Sequence, residues 1–496
     1  MMKNILKHIT IVALIIFGGC SDDYLDRTPL DQFTTDVFFQ TDEHALQAVN
    51  AAYDPFQFWE YYSNRFQYLG NIASDDAVKG GFGASDQAQF DLINSFSIFP
   101  DNVAFKNRWQ AIYVGVFRAN IVLDNVPDID MDATLKARII AEAKFLRALN
   151  YFNLVVAFGG VPLIDRQLGI DEQNVPRSTT AETWAFIEKD LTEAAADLPV
   201  SYGAADVGRA TRGAANGLLG KALVYQEKWA GAETALKKLT TGADAVYDLV
   251  PDYRSLFDGT NENSVESVFE IQFASGVSVL PWATPADGNG SALNTTSGPQ
   301  GAGYDGWGFN VPTQDLIDAY ETTALGGEDP RLSATVFRDG DVVNGIPYEA
   351  QSETGYRCKK YVIGDGINGS SVIDSPVNLH VLRYADILLL LAEALNEQGG
   401  KEAEAETYLN MVRDRAGLTL VAGNNQAALR SLILQERRIE LAMEGERFFD
   451  LVRTGEAATV LAAVGFEAPK HNLMPIPQAE MDVNTALAGN QNPGYN

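Results

Sequence analysis

Aromatic residues in polar, glycine-rich stretches are the residues of this sequence best suited to ligand binding. Trp282 lies in VLPWATPADGNGS, and Tyr304 and Trp307 lie in GAGYDGWGF. Sugar rings have apolar C–H faces that stack on aromatic planes, and their hydroxyls pair with Asp, Asn and Gln side chains. The three aromatics therefore predict a glycan-binding platform, with packing inside their own loops as the alternative.

Five polar residues extend this candidate site. Asn289 and Asn294 follow Trp282 in the sequence. The segment ASDDAVKGGFG carries Asp75, Asp76 and Lys79 at the start of a glycine-rich loop. Carboxylates, amides and an ammonium group are suitable hydrogen-bonding partners for sugar hydroxyls. We therefore expect these residues to contact a ligand, and a solvated turn is the alternative for the aspartates and the lysine.

The sequence offers no recognisable cluster for metal binding or nucleophilic catalysis. Beyond residue 20 its histidines are His44, His380 and His471, which lie far apart in no ligand spacing. A G-x-G-x-x-G match at residues 301–306 lacks a preceding strand and a following helix. We therefore expect no cofactor and no metal. A paired-carboxylate glycosidase remains an alternative, because the fold sets such a pair and the chain has 66 acidic residues.

Cys20 predicts covalent attachment to a membrane. It follows Lys3, Lys7, an apolar run at residues 9–17 and two glycines. This order is typical of a secretory leader whose cysteine is acylated before cleavage, and the apolar run is too short to span a bilayer. We expect loss of residues 1–19 and a lipid on Cys20, with an ordinary leader and an incidental cysteine as the alternative.

The charge of the chain restricts its partners. Its formal charge is −29, and removal of the two leader lysines makes it −31. So acidic a surface repels polyanions, which argues against nucleic acid and favours a neutral glycan. With Cys20 acylated, only Cys358 remains, so no intramolecular disulfide is expected.

Helical periodicity predicts the scaffold that positions these residues. Residues 133–158 carry apolar residues at i, i+3 and i+4 spacing, with Asp132 placed as the N-cap. The same pattern predicts helices at residues 180–197, 212–239, 384–398, 401–416, 425–444 and 446–453. Residues 222–236 and 392–409 look like two copies of one helix-turn-helix unit, which is typical of tetratricopeptide-type helix pairs. Convergent packing of alanine-rich helices is the alternative.

Residues 240–380 have a different character, rich in Gly, Asn, Asp, Ser and Pro. Short strand-like runs occur at residues 267–273 and 356–363, and helical spacing occurs only around residues 313–320. So long a stretch predicts an irregular subdomain rather than one loop. The expected fold is mainly α, with a tetratricopeptide-like helical-pair scaffold and a loop-rich subdomain that carries a few short strands. One domain, 20–496, would comprise helical parts at about 30–240 and 380–455, the loop-rich part at about 240–380 and an extended C-terminal segment at about 456–496.

Arginines and glutamates interleave at helical spacings in ERRIELAMEGERFFDL, residues 436–451. This pattern predicts a structural lattice of salt bridges rather than a catalytic group.

Six segments together resemble the SusD/RagB family of surface nutrient-binding lipoproteins. They are CSDDYLDRTP (20–29), AEAKFLRALNYFNLVVAFGGVPL (141–163), RGAANGLLGKALVY (212–225), LRYADILLLLAEALNE (382–397), ERRIELAMEGERFFDLVRTG (436–455) and LMPIPQAEMDVNTALAGNQNPGY (473–495). They span nearly the whole chain in the order found in the family, so the match is specific although each segment alone is weak.

The resemblance implies a function as well as a fold. Such proteins are extracellular lids on SusC-like TonB-dependent transporters of the outer membrane, and they usually help to import oligosaccharides. It therefore implies that this chain captures oligo- or polysaccharide without breaking a bond, faces the cell exterior and is held to the outer membrane by the lipid on Cys20. A neutral β-glucan is the expected ligand, while peptide binding by the same fold and glycoside hydrolysis are the alternatives.

Overall fold

The computed structural model describes residues 38–64, 66–275, 290–301, 304, 306–343, 345–349, 351–363 and 373–495. The helices in this part of the chain are α1 (Asp42–Tyr53), α2 (Phe66–Ile72), α3 (Ala88–Asn94), α4 (Val103–Asn125), α5 (Ala133–Phe158), α6 (Thr180–Asp197), α7 (Arg212–Val224), α8 (Trp229–Thr240), α9 (Leu293–Ser297), α10 (Gln314–Ala319), α11 (Pro330–Thr335), α12 (Tyr384–Glu397), α13 (Glu402–Arg415), α14 (Gln426–Glu440), α15 (Arg447–Arg453), α16 (Ala457–Val460) and α17 (Gln478–Val483). The strands are β1 (Ala77–Gly80), β2 (Ser267–Ile271), β3 (Phe309–Pro312), β4 (Val336–Phe337), β5 (Val342–Val343), β6 (Ile346–Pro347), β7 (Arg357–Cys358) and β8 (Leu379–Arg383).

The helices pack in chain order, and the mainly α fold predicted from the sequence is confirmed. Helix α5 packs between α4 and α6, α7 packs on α6 and α8, and α8 packs on α12. The two predicted repeat units both form helix-turn-helix pairs, because turns at 225–228 and 398–401 separate α7 from α8 and α12 from α13. The two units also touch, since Gln398 in the second turn donates a hydrogen bond to Glu233 on α8 at 2.8 Å.

Local capping explains where the scaffold helices begin. Asp132 accepts a hydrogen bond from the backbone N–H of Leu135 at 2.8 Å, so α5 begins at the predicted residue. Thr179 and Glu182 form a reciprocal capping box at the start of α6. None of the helices in the described ranges is both long and apolar enough to cross a membrane.

The strands of the described residues form four antiparallel pairs, β1–β3, β2–β8, β4–β7 and β5–β6. Strand β2 confirms the strand-like run at 267–273, whereas the run at 356–363 contains only the two-residue strand β7. Strand β8 leads directly into α12, which joins the loop-rich part of the chain to the helical scaffold.

The C-terminal residues 456–495 are less extended than the prolines predict. They contain α16, α17 and short 3₁₀ turns between extended stretches. The backbone N–H of Met474 donates to the carbonyl of Ala157 at 2.7 Å, and the Asn492 side chain donates to the carbonyl of Phe158 at 3.0 Å. This segment therefore satisfies carbonyl groups at the C-terminal end of α5.

The charged residues of 436–451 form a lattice, as predicted, but their partners lie far away in sequence. Glu440 pairs with Arg331 of α11 at 2.9 Å, and Arg437 pairs with Asp386 of α12 at 2.7 Å. All four side chains are buried. The lattice therefore ties the loop-rich part of the chain to the scaffold, instead of stabilising α14 through neighbours on the same helix.

A buried acid cluster lies beside the β2–β8 pair. Glu270 on β2 contacts His380 on β8 at 3.1 Å, and Glu262 accepts a hydrogen bond from the backbone N–H of Asn378 at 3.1 Å. Burial, reinforced by the charge of Glu270, raises the pKa of Glu262 to about 7. Glu262 therefore keeps its proton in the folded state at pH values where an unfolded chain would release it.

Glu262→Gln is expected to flatten part of the pH dependence of stability. Between the ordinary glutamate pKa of about 4.5 and about 7, the folded state binds the extra proton, so the free energy of unfolding falls as pH rises. The neutral amide binds no such proton, so this pH dependence is absent from the variant. The free energy of unfolding of the variant minus that of the wild type should therefore be greater at pH 8 than at pH 5. Urea unfolding at both pH values measures the difference. Glu456→Gln, at an exposed position, is the control. An equal gain in the stability of Glu262→Gln at both pH values would contradict the prediction.

Candidate functional site

The β1–β3 pair brings two glycine-rich loops together. Gly80 is opposite Phe309 in the ladder, and the backbone N–H of Gly81 donates to the carbonyl of Gly308 at 2.9 Å. The loop after β1 carries Phe82, and the loop before β3 carries Trp307. These two aromatic residues therefore lie at the same end of the strand pair. We call this end of the strand pair, with its two aromatic residues, the aromatic platform.

Trp307 is half-buried and rests on a second tryptophan. Its ring centroid lies 6.0 Å from that of Trp59, with an angle of 57° between the rings. Trp59 is buried within the π-helical turn Trp59–Ser63. The backbone N–H of Trp307 donates to the carbonyl of Thr295 at 2.8 Å. The ring is thus supported from below and fixed through its backbone, which favours a rigid stacking surface.

Phe82 is the most exposed aromatic residue of the described chain, at 73%. Its backbone N–H donates to the carboxylate of Asp86 at 3.0 Å, which closes the loop. A Cβ atom at Gly81 would lie 2.5 Å from the Phe309 ring, so only glycine fits beside Phe82. Phe82 is not among the site residues predicted from the sequence. A single apolar residue in a glycine-rich loop does not indicate ligand binding until the β1–β3 pairing is known.

Arg357 supports the loop of Trp307 from inside the protein. Its guanidinium donates to the Gly308 carbonyl and to the Gln300 side chain, both at 3.3 Å. Burial lowers the pKa of Arg357. Gly308 has a φ of +67°, and a Cβ atom there would lie 3.0 Å from the guanidinium carbon. The turn next to Trp307 therefore requires glycine.

The predicted platform residue Tyr304 lies beneath the surface. Only 5% of it is exposed, and it packs in a small apolar cluster with Phe337, Tyr348 and Val362. Its hydroxyl donates to the carbonyl of Pro347 at 2.7 Å. Tyr304 therefore supports the loop and offers no face for stacking, which corrects the prediction for this residue.

Asn294 is also buried rather than available to a ligand. It lies on α9, where its side-chain oxygen accepts a hydrogen bond from the backbone N–H of Ile363 at 3.4 Å. Its position corrects the prediction of a ligand contact.

The predicted ligand contacts Asp75 and Asp76 belong to the salt-bridge lattice instead. Arg447 donates to both carboxylate oxygens of Asp75 at 2.8 Å, and Arg438 donates to Asp76 at 2.8 Å. Burial alone would raise the pKa of Asp75, but Arg447 and Arg438 outweigh it and lower that pKa. Burial raises the pKa of Asp76, and Arg438 offsets this effect only in part. Both aspartates hold the base of β1, because their carbonyls accept hydrogen bonds from Thr313 after β3.

Lys79 is likewise used inside the protein. Its ammonium group donates to the carbonyls of Gly83 and Asp86 at 2.8 and 2.7 Å and pairs with Asp91 at 3.0 Å. It fastens the loop of Phe82 and is itself buried, so the predicted ligand contact is corrected to a supporting role.

Three of the predicted functional residues, Cys20, Trp282 and Asn289, lie outside the described residues. Their roles stay predictions. The structure therefore assembles one predicted aromatic residue, Trp307, with one that was not predicted, Phe82.

Six further aromatic residues occupy the core, and Trp229 is half-buried against it. Phe58, Trp59, Tyr61, Tyr62, Trp109 and Trp184 are all buried.

Two family models match the chain. The model described as "SusD family" matches residues 265–495, and the model described as "Starch-binding associating with outer membrane" matches residues 23–224. A SusD-like protein of Formosa agariphila is 28% identical over 510 residues, which cover 99% of each chain.

Solved structures agree with this assignment. A laminarin-binding SusD-like protein has a TM-score of 0.79 and 33% sequence identity, covering 92% of this chain and 100% of its own. Surface glycan-binding protein A of Bacteroides thetaiotaomicron, solved in complex with laminarihexaose, has a TM-score of 0.78 and 28% identity, covering 90% of this chain and 98% of its own. The resemblance noted in the sequence is confirmed, and the chain belongs to the SusD/RagB family.

Proposed function

We propose that this protein is a non-catalytic, surface-exposed receptor that captures β-glucan chains and delivers them to a SusC-like TonB-dependent transporter. The observation that carries the proposal is the aromatic platform, in which half-buried Trp307 rests on Trp59 and exposed Phe82 lies on the loop paired with that of Trp307. Apolar planes of this kind bind the C–H faces of sugar rings. The glycine-rich backbone around them allows a ligand to approach closely.

The named ligands of relatives and the charge of the chain support a neutral β-glucan as the ligand. Two structural relatives are named for binding laminarin and laminarihexaose. The formal charge of −29 disfavours a polyanionic glycan, because the ligand would have to approach a negative surface. Laminarin is therefore the proposed ligand class.

The carboxylates around the platform favour binding without cleavage. Glycoside hydrolysis requires two carboxyl groups that face one glycosidic bond. Asp75 and Asp76 are engaged by arginines, and Asp86 accepts from the backbone N–H of Phe82. Asp75 and Asp76 at the start of β1 and Asp86 in the Phe82 loop are thus all bound by internal hydrogen-bond donors.

Affinity electrophoresis in gels that contain laminarin, starch or a uronate polysaccharide tests the ligand class, with calorimetry on laminarihexaose as the quantitative measurement. We expect laminarin alone to retard the protein, and we expect no new reducing ends after long incubation with it. Absence of retardation by any of these glycans would overturn the proposal, and release of reducing sugar would overturn its non-catalytic part.

Lipid attachment at Cys20 is the proposed link to the outer membrane, since the leader ahead of it matches an acylation signal. Cys20→Ala is expected to move the protein out of the membrane fraction, as measured by cell fractionation and by the mass of the mature N-terminus. Cys358→Ser is the control. Cys358 is buried within the fold, so its substitution should leave the lipid anchor on Cys20 in place. A membrane-bound Cys20→Ala variant would contradict the prediction.

Delivery to a transporter is supported by membership of the family alone. Purification of the tagged protein from native outer membranes tests it, and we expect a TonB-dependent transporter to copurify. Purification of the protein without any such partner would argue against the delivery step.

A further inference from the structure

Two adjoining cavities lie between residues 200–211 and strand β2. Their volumes are about 270 and 210 Å³. Both are lined by Val207, Gly208 and Arg209 on one side and by Phe269 and Glu270 of β2 on the other. Together they reach the range of known ligand sites, roughly 300–1,000 Å³. We call the pair the β2 groove.

Tyrosine rings form much of the β2 groove. Tyr202 and Tyr247 line the first cavity, and both are half-buried. The Tyr247 ring stacks on Tyr384 with centroids 6.1 Å apart and an angle of 27°, and its hydroxyl lies 3.2 Å from that of Thr211. The Tyr202 hydroxyl donates to a backbone carbonyl at 2.9 Å. The rings are therefore held in place before any ligand arrives.

Amide side chains supply ordered polar groups along the same groove. Gln272 and Asn263 exchange two hydrogen bonds, at 2.8 and 2.9 Å. Arg209 donates to Asn50 at 2.8 Å and to Asp206 at 2.7 Å. Fixed aromatic planes next to ordered amides are the combination that a sugar, with its apolar faces and polar hydroxyls, requires.

The rim of the β2 groove is open to solvent. Val207, Val246 and Val265 line the first cavity and are each about half exposed. A ligand can therefore enter from the surface and cover apolar groups that now face water.

One short segment connects the β2 groove to the aromatic platform. Gln57 lines the second cavity and donates a hydrogen bond to the Gln272 carbonyl at 2.6 Å. Trp59, two residues further on, contacts the ring of Trp307. Two residues of backbone span at most about 7 Å. The backbone of Gln57 at the groove and that of Trp59 beneath the platform are therefore at most about 7 Å apart.

We propose that the β2 groove is an extension subsite for the glycan, which takes the sugar residues beyond those stacked on Trp307. This inference rests on the proposed function, because it assumes a glycan on the platform. It predicts that the protein binds chains of several sugar units more tightly than short oligosaccharides. No bond is made or broken in this step.

Calorimetry with laminaritriose and laminarihexaose tests the subsite. We expect the wild type to bind the hexaose more tightly than the triose. Val207→Trp places a bulky ring at an exposed position shared by both cavities, so it should lower hexaose affinity by about tenfold and leave triose affinity unchanged. Tyr247→Ala should act in the same way, whereas Tyr247→Phe keeps the ring and should retain most of the affinity.

Phe117→Ala is the matched control. Phe117 is an aromatic residue of α4 with 52% exposure, and it lines a different cavity. It should alter binding of neither ligand. Thermal unfolding of each variant checks that the fold persists, and Val207→Trp keeps the test valid if Tyr247→Ala does not fold.

Several outcomes would overturn the inference, and they differ from failure of the proposed function. Unchanged hexaose affinity in folded Val207→Trp would remove the groove from the site while leaving the platform intact. Equal losses of triose and hexaose affinity would mean that the groove only supports the platform. Absence of glucan binding by the wild type would overturn both the subsite and the proposed function.

Discussion

Trp307→Ala is expected to weaken laminarihexaose binding by about 1–3 kcal/mol, which is roughly fivefold to more than hundredfold in affinity. The reason is loss of the exposed part of a ring that Trp59 holds in place. Because the rest of the ring is buried, the variant should also lose some stability, but less than the roughly 3–5 kcal/mol typical of a fully buried aromatic residue. Calorimetry gives the first quantity and urea unfolding the second.

Two further variants separate ligand contact from structural support. Phe82→Ala removes a ring that is 73% exposed, so it should weaken binding with almost no effect on stability. Tyr304→Phe removes only a buried hydroxyl beneath the loop, so binding should change little. Normal hexaose affinity in both Trp307→Ala and Phe82→Ala would place the ligand elsewhere on the protein.

The helical scaffold could be predicted because its signals are local. Apolar spacing and the caps Asp132 and Thr179 act within one or two turns, so α5 and α6 begin and end at the predicted residues. The predicted helix at 212–239 is divided by the turn at 225–228, where Glu227 has a φ of +57°. Periodicity alone does not show this break, whereas the helix-turn-helix repeat predicted at 222–236 does.

The partners of the charged residues could not be predicted in the same way. Arg437 has glutamates at helical spacing on its own segment, yet it pairs with Asp386 and Asp450. Arg437 is buried, and a buried guanidinium requires carboxylates that share its burial, which only the tertiary fold brings together.

The candidate site was only partly predictable for a similar reason. Tyr304 and Trp307 occur three residues apart in one glycine-rich loop, but one is buried and the other half-exposed. In a helix or strand the spacing would indicate which residues share a face, whereas an irregular loop has no such rule. The polar residues Asp75 and Lys79 suited a ligand equally well by type, and only the positions of Arg447 and Asp91 show that they serve the loop.

Arg383 is the residue of the lattice whose loss should cost most. It is buried, and its guanidinium donates to Glu444 at 2.8 Å through two nitrogens, to Glu266 at 3.0 Å and also to Glu440. Burial alone would raise the pKa of Glu444, but Arg383 and Lys360 outweigh it and lower that pKa. Glu444 thus depends mainly on Arg383, whereas Glu266 and Glu440 are also paired with Arg415.

Arg383→Met is therefore expected to lower the free energy of unfolding by about 3–5 kcal/mol at pH 7, because it removes the main counter-charge of buried Glu444 and one counter-charge each from Glu266 and Glu440. A depressed carboxylate pKa stabilises the fold above the unfolded pKa, about 4.5, and this contribution is lost as pH falls through the folded value. The difference between wild type and variant should therefore shrink below about pH 4, which urea unfolding at pH 7 and pH 3 measures. Arg430→Met is the matched control, since it breaks a partly exposed pair with Glu397 that is worth about 1 kcal/mol or less. Equal losses in the two variants would show that the lattice is no more important than a surface pair.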